Sequence, residues 1–304
     1  MAMTEDPPAR DAATIMLVRD SPAGSLEVCM VRRHLDSDFV GGAYVFPGGK
    51  VDEEDRGDAA TASCIGRSDV EASTLLGVER GGLAFWVAAL RECFEEAGVL
   101  FCYAQGAVAG DPLVDATDPD VRKRLVAMRA GLLAAGRDAD FLAACVTEGF
   151  CLAVDRVHYF SHWITPEGAP KRYDTRFFVA ALPPGQVPVH DDYETTDTVW
   201  VDPADALARA AAGEFDLIFP TMKNLEAISR FATAQELLDA ALAIEQVPTV
   251  LPRVVVDDRG FRILLPGDDG YDEAMAPPHQ RATTAAEVSE AIRSIGIDGR
   301  AERR

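Results

Sequence analysis

One stretch of this chain limits its fold more than any other. Leu83, Val87, Leu90, Phe94 and Ala97 recur at steps of 4, 3, 4 and 3 residues, the period of one helix face. Gly98 supplies a stop. On that helix Glu92 stands i,i+3 from Glu95 and i,i+4 from Glu96, and Arg91 stands i,i+4 from Glu95. Three carboxylates and one guanidinium are therefore expected on the side away from the apolar stripe. Clustered acids repel one another, and an exposed helical ion pair returns only about 0.3–0.5 kcal/mol. Stability alone does not account for the cluster. A hard divalent cation such as Mg²⁺ or Mn²⁺, which takes oxygen ligands, does. The competing reading is a solvated charged face.

Upstream, a short strand expected at Ala43–Phe46 is closed by Pro47-Gly48-Gly49 and followed by Lys50-Val51-Asp52-Glu53-Glu54-Asp55. Before it, Thr14–Val18 and Leu26–Arg32 read as two β-runs around the turn Asp20–Gly24. Residues 1–12 read as a mobile polar tail. Further on, 118–147 reads as helical. Phe150–Val154, Val157–Trp163, Thr175–Ala181 and Thr198–Val201 read as strands, and three helices follow between Pro203 and Ile244.

The glycine loop and the acidic helix together resemble the Nudix box, Gx5Ex7REUxEExGU with U apolar. Gly49 takes the first glycine position and Asp55 stands where the family has Glu. Arg91, Glu92, Glu95, Glu96, Gly98 and Val99 fall in place, and Cys93 replaces a larger aliphatic residue. The family has seven residues between the acid and Arg, whereas here residues 56–90 intervene. Such a split box is similar to the branch that includes the animal peroxisomal coenzyme A diphosphatases. Phe39–Gly49, Trp163-Ile-Thr-Pro166, Tyr173–Phe178 and Phe219-Pro-Thr221 extend the resemblance over roughly residues 12–245. The coenzyme A motif that other Nudix diphosphatases carry ahead of the glycine loop is represented only by Val31-Arg32-Arg33 and Gly42.

The resemblance implies an α/β fold: the Nudix α/β/α sandwich, a mixed sheet with a loop–helix–loop catalytic box. It implies metal-dependent hydrolysis of a nucleoside diphosphate linked to another group, coenzyme A or acyl-coenzyme A among the options, with Mg²⁺ or Mn²⁺ as cofactor. Carried over by position, Glu95 and Glu96 are metal ligands, and Glu92 is a ligand or activates water. The Gly49 carbonyl is a further ligand, and Arg91 orients the acids. Asp55 is open between a direct and a structural role. An acid outside the box is common in the family; Glu194 is the candidate here, with Glu148 behind it. Tyr44 and Phe39 are expected as a stacking platform, and Arg32 and Arg33 as partners of a 3′-phosphate. His158 and His162 are expected on one strand face, as packing residues. Trp163, Phe177 and Phe178 read as core aromatics or an adenine wall, and Lys171-Arg172 as a basic pair near the cleft. Two alternatives stand: a nucleotide sensor without turnover, and a hydrolase of ADP-ribose or NADH.

Composition narrows the partners. Fifty Asp and Glu against 29 Lys and Arg give a net charge of −21, which repels nucleic acid. No run of 18 apolar residues marks a membrane span, and no basic, then apolar leader opens the chain. The six cysteines form no CxxC pair and read as reduced thiols of a cytoplasmic protein. A small nucleotide-like substrate is the expected partner, with a homodimer as one option. The expected organisation is a Nudix domain over 12–245, with an insertion at 56–81 inside the box and a helical insertion at 104–148. Residues 246–304 form a C-terminal extension, a hairpin plus a partly disordered tail with a marginal helix at 285–295. Both insertions are expected beside the cleft mouth, capping the substrate.

Overall fold

The computed structural model describes residues 8–35, 41–257 and 260–274. A hairpin of β1 (Arg10–Asp20) and β2 (Leu26–Arg33) is followed by two short strands, β3 (Tyr44–Val45) and β4 (Gly48–Lys50). The insertion folds as α1 (Gly57–Ser63), β5 (Cys64–Ile65) and α2 (Asp69–Leu76), and leads into α3 (Leu83–Ala97), the acid-bearing helix. Then come β6 (Cys102–Ala104), α4 (Pro119–Ala135), α5 (Phe141–Thr147) and β7 (Phe150–Ala153). Three long strands follow, β8 (His158–Ile164), β9 (Tyr173–Ala181) and β10 (Thr195–Val201). After α6 (Pro203–Ala211), α7 (Phe219–Ile228) and α8 (Ala234–Leu242), the described residues finish with β11 (Thr249–Val250), β12 (Arg253–Asp257), β13 (Gly260–Leu264) and α9 (Tyr271–Ala274).

The main sheet has the order β10-β2-β1-β9-β8-β11, with β3 on β2 and β4 on β1. β1 runs parallel to β9 and β8 parallel to β11, while the other pairs are antiparallel, so the sheet is mixed. Side chains alternate across it. Ile15, Leu17 and Phe178 pack with Trp86 and Phe94 of α3 on one face. Met16, Val18 and Phe177 pack with Leu225 and Leu237 of α7 and α8 on the other. Both faces of β1 are covered, which is why it reads as a nearly unbroken apolar run and not an alternating one. The result is the expected α/β/α sandwich.

Four local expectations change. Gly48–Lys50 does not simply close the preceding strand; it pairs with β1 at Thr14↔Gly48, Ala13↔Gly49 and Ala12↔Lys50. That approach requires glycine: a Cβ on Gly48 would lie 2.5 Å from the Ala13 carbonyl oxygen. Arg10–Ala12 belong to β1, where Arg10 pairs with Tyr173, and not to a tail. α3 is not a two-sided helix: Ala84, Phe85, Trp86, Ala88, Ala89 and Glu96 are buried along with the apolar stripe. Strand β8 carries a register shift between Tyr159 and Ser161. His158 therefore pairs with Val179 and His162 with Arg176, three positions apart on β9, so the two histidines fall on opposite faces.

The insertion is part of this framework. β5 pairs with β7, and β7 with β6, in a separate three-stranded sheet. Ala60, Ala72 and Leu76 enter the same core as α3. Asp69 of α2 caps the start of α3, its carboxylate accepting from Gly81 N at 3.0 Å and from Leu83 N at 3.0 Å, while Ser73 Oγ accepts from Gly82 N at 2.9 Å. At the other end of the chain, the boundary expected at 245 precedes an edge strand of the main sheet, since Thr249 and Val250 pair with His162 and Trp163. The hairpin is β12–β13. Phe39, the tail and the marginal helix at 285–295 lie outside the described residues. Among the described residues no helix is long and apolar enough to cross a membrane.

Candidate active site

The side chain of Arg91 organises the acids. Its guanidinium donates from Nε to Asp55 Oδ1 at 2.9 Å and from Nη2 to Asp55 Oδ2 at 2.8 Å, a bidentate pair. Nη1 reaches Glu92 Oε1 at 2.8 Å and Glu95 Oε2 at 3.2 Å, and Nη2 also reaches the Lys50 carbonyl at 2.9 Å. Burial opposes the Arg91 charge, but the hydrogen bonds from Asp55 and the charges of Glu92, Asp55 and Glu95 outweigh it and hold its pKa above the ordinary value. Asp55 is almost fully buried and also accepts from Asp52 N at 2.8 Å. Both of its oxygens are committed, one to Arg91 alone and one to Arg91 and Asp52. The geometry thus gives Asp55 a structural partner.

Burial raises the pKa of Glu92, Glu95 and Glu96. For Glu92, Arg91 works against this and Glu95 adds to it; for Glu96, Glu92 adds to it while Arg33 and the Gly48 N–H work against it. Glu96 Oε2 accepts from Gly48 N at 3.0 Å. A Cβ on Gly49 would fall 2.4 Å from Glu92 Oε1, so the bare backbone there makes room for that carboxylate. Glu194 lies near enough to raise all three.

Two supports were not legible beforehand. Arg129 of α4 donates to the Glu95 carbonyl from Nε at 3.1 Å and from Nη2 at 2.7 Å, and from Nη2 to the Glu96 carbonyl at 3.0 Å, closing the C-terminal end of α3. Gly98, left-handed at φ 70°, leaves room for it, since a Cβ there would sit 2.8 Å from Arg129 Nη1. Buried Asp191 shapes the turn bearing Glu194: its Oδ1 accepts from Tyr193 N at 2.8 Å and from Glu194 N and Thr195 N at 2.9 Å each. An Asp that accepts from the backbone N–H groups just after it is the usual device of such a turn. An arginine in mid-helix gives no comparable signal.

A cavity of about 870 Å³ opens on these acids. Gly49, Arg91, Glu92, Glu95, Glu96, Glu194 and Arg33 line it, as do Lys171, Trp163 and Phe177. The cavity does not include Arg32, Tyr44, Phe178 or Glu148. Arg32 Nε donates to the Gly42 carbonyl. Tyr44 stacks on Phe215 at 3.9 Å and donates to Asp197 at 2.8 Å, which takes its ring out of service as a cavity platform. Phe178 packs against Trp86, and Glu148 is paired with Arg124 at 2.8 Å. His162 is buried between Asp174 and Thr249. Of the two insertions, only the helical one reaches the cavity, through Leu132, Leu133, Gly136 and the Ala139–Leu142 stretch; none of residues 56–81 lines it. The hairpin contributes Ile263, and Pro252 precedes it.

The family model of the NUDT19 Nudix domain matches residues 69–228, which hold the acid-bearing helix α3 and the distal Glu194. The chain belongs to this Nudix family. Acyl-coenzyme A diphosphatase NUDT19 of Gallus gallus is 28% identical over 305 residues, spanning 87% of this chain and 80% of that protein. Its Homo sapiens counterpart is 27% identical over 291 residues, spanning 84% and 75%. A crystal structure of a NUDIX hydrolase from Alicyclobacillus acidocaldarius superposes on 81% of this chain and 100% of its own, with a TM-score of 0.59 and 27% identity. The chain is a Nudix pyrophosphohydrolase with the Nudix sandwich.

Nudix hydrolases generally use divalent metal ions. The donor chemistry here fits one: burial raises the pKa of Glu92 and Glu96, the charge of Glu92 raises Glu96 further, and hard oxygen ligands are what such a cation takes. As the side chains stand, Arg91 engages Glu92 and Glu95, and no three acidic, His or Cys side chains among the described residues gather into a metal-holding group.

Proposed function

We propose that this Nudix enzyme hydrolyses the diphosphate of coenzyme A or an acyl-coenzyme A with Mg²⁺ or Mn²⁺. Water attacks one phosphorus, the P–O–P anhydride bond breaks, and 3′,5′-ADP and 4′-phosphopantetheine, acylated or free, leave. The observation that carries this reading is the size and lining of this cavity. At about 870 Å³ it lies in the upper part of the range for small-molecule pockets, and besides the acids it has apolar stretches of wall that include Leu132, Leu133, Phe141 and Ile263. A nucleotide alone does not need that wall; a pantetheine arm does. The names of the animal relatives point to the same substrate class.

In this reading Glu92, Glu95, Glu96 and the Gly49 carbonyl hold the cation. When bound there, it neutralises diphosphate charge. Arg91 keeps Glu92 and Glu95 oriented through charge-assisted hydrogen bonds. Glu194, on its turn facing the other acids, accepts the proton of the attacking water. Arg33 and Lys171 supply positive charge along the cavity for phosphate oxygens. A cytoplasmic location belongs to the same proposal and is supported by six free cysteines.

The test is a substrate panel with product masses: coenzyme A, an acyl-coenzyme A, dephospho-coenzyme A, NADH and ADP-ribose. The proposal requires the highest kcat/KM for a coenzyme A compound. A higher value for ADP-ribose or NADH rejects it and leaves the pyrophosphohydrolase class intact.

A further inference from the structure

We propose that Tyr193 is the stacking residue for the nucleobase of the substrate. This rests on the reading of the cavity as a nucleotide site and assigns one of its contacts to a residue that the motif does not contain.

Three observations lead there. Tyr193 lines the cavity, yet it is 74% exposed, the largest exposure of any aromatic side chain among the described residues. Of the other rings at the cavity, Tyr173 on β9 is half-buried, and the rest are packed. Trp163 is buried and meets Phe219 edge-on at 6.1 Å, and Phe46, Phe141 and Phe177 are buried in the cores. An uncovered aromatic ring at a cavity mouth has faces free to accept a flat π-system.

The second observation is that the ring stands on a built turn and not on a loose loop. The Oδ1 of buried Asp191 takes the backbone N–H groups of Tyr193, Glu194 and Thr195 at once, and Asp192 holds the left-handed region at φ 66°. Thr195 Oγ1 also reaches the Glu96 carbonyl at 3.4 Å, tying the turn to α3. The third is position. Glu194, the next residue, is close enough to act on Glu92, Glu95 and Glu96, so whatever stacks on Tyr193 lies beside the diphosphate subsite. That is where a nucleoside places its base. The acids on both sides, Asp192 and Glu194, disfavour an anionic group at the ring itself, and a neutral purine meets no such penalty.

Tyr193→Ala, Tyr193→Phe and the wild-type enzyme are compared in two measurements. In the first, AMP is titrated into each protein by calorimetry, without turnover. Tyr193→Ala is expected to weaken AMP about tenfold, and Tyr193→Phe, which keeps the π-face, to stay within about twofold of wild type. Equal AMP affinity of wild type and Tyr193→Ala, loss of affinity in Tyr193→Phe equal to that in Tyr193→Ala, or no AMP binding by the wild type overturns the proposal. In the second, steady-state kinetics use coenzyme A and a base-free diphosphate, phosphoribosyl pyrophosphate. Tyr193→Ala is expected to raise KM about tenfold for coenzyme A and to leave kcat for it, and KM for the base-free compound, within about twofold. An equal rise in KM for both substrates overturns the stacking role. A wild-type enzyme that cleaves no coenzyme A compound sinks the functional reading instead, and the AMP titration then still decides Tyr193.

Discussion

Arg91 and Asp55 form a buried bidentate ion pair, with Nε–Oδ1 at 2.9 Å and Nη2–Oδ2 at 2.8 Å, across the residues that split the Nudix box. The pair joins the two halves of the motif directly, so the chain between them is free to lengthen without moving the acids. Loop length itself adds only about 0.6 kcal/mol of closure entropy per doubling.

Asp55→Ala leaves the Arg91 guanidinium largely buried without its main partner. Arg91 keeps Glu92 and Glu95, so the cost falls below that of an unpartnered buried charge, at about 1.5–3 kcal/mol. Urea denaturation is expected to show a loss of that order, together with reduced activity. A loss below about 1 kcal/mol would show that the pair does not hold the site together.

Glu95→Gln keeps the size of the side chain and removes its charge. It is expected to lower kcat by about 10² or more, in line with removing one transition-state contact, while the circular dichroism spectrum is unchanged. EDTA is expected to abolish turnover, and Mg²⁺ or Mn²⁺ to restore it. Full activity in chelator would reject the role given to the acids.

Stability of the metal-free protein is expected to fall as pH rises. Burial pushes the Glu92 pKa from 4.5 up to about 7. The folded state therefore binds the proton more tightly than the unfolded one. The penalty for ionising Glu92 is absent below about pH 4.5, grows between there and about 7, and is complete above. Thermal melts in chelator at pH 5 and pH 8 check this, and Glu92→Gln is expected to flatten the difference. Added Mg²⁺ is expected to raise Tm more at pH 8 than at pH 5.

Asp69→Ala is expected to cost about 0.5–2 kcal/mol, because it uncaps α3. Replacing Asp58–Val78 by a Gly/Ser linker removes that cap together with Ala60, Ala72 and Leu76 from the core, and is expected to impair folding as well as activity. The reading of this insertion as a cap that only tunes substrate choice does not fit its position away from the cavity. A linker variant with wild-type Tm would restore it. The helical insertion, through Leu133 and Phe141, is where specificity changes are expected.

The sandwich was legible because its signals are local. A nearly unbroken apolar run marks β1, an aromatic-rich run marks β8, and the 3.6-residue apolar period marks α3. The glycines of the loop are forced by backbone approach, and the order Arg91, Glu92, Glu95, Glu96 is fixed by helix geometry. The same locality explains the errors. A single extra residue in β8 reverses which face a histidine takes, and no alternation pattern announces it. Tyr44 precedes the glycine loop in sequence, but a ring across the fold, Phe215, claims it.

By itself, then, the sequence determined the set of acids, the helix that spaces them and the glycines they need, since each follows from contacts within a few residues. Only the tertiary structure decided what surrounds them. Asp55 meets Arg91, Arg129 closes α3, Asp191 sets the turn of Glu194, and Leu132 and Ile263 face one cavity through contacts between residues distant in the chain. Such contacts depend on which helix lies over which strand. Burial then raises the pKa of Glu92, Glu95 and Glu96, a property of the packed surroundings that no spacing of residues encodes.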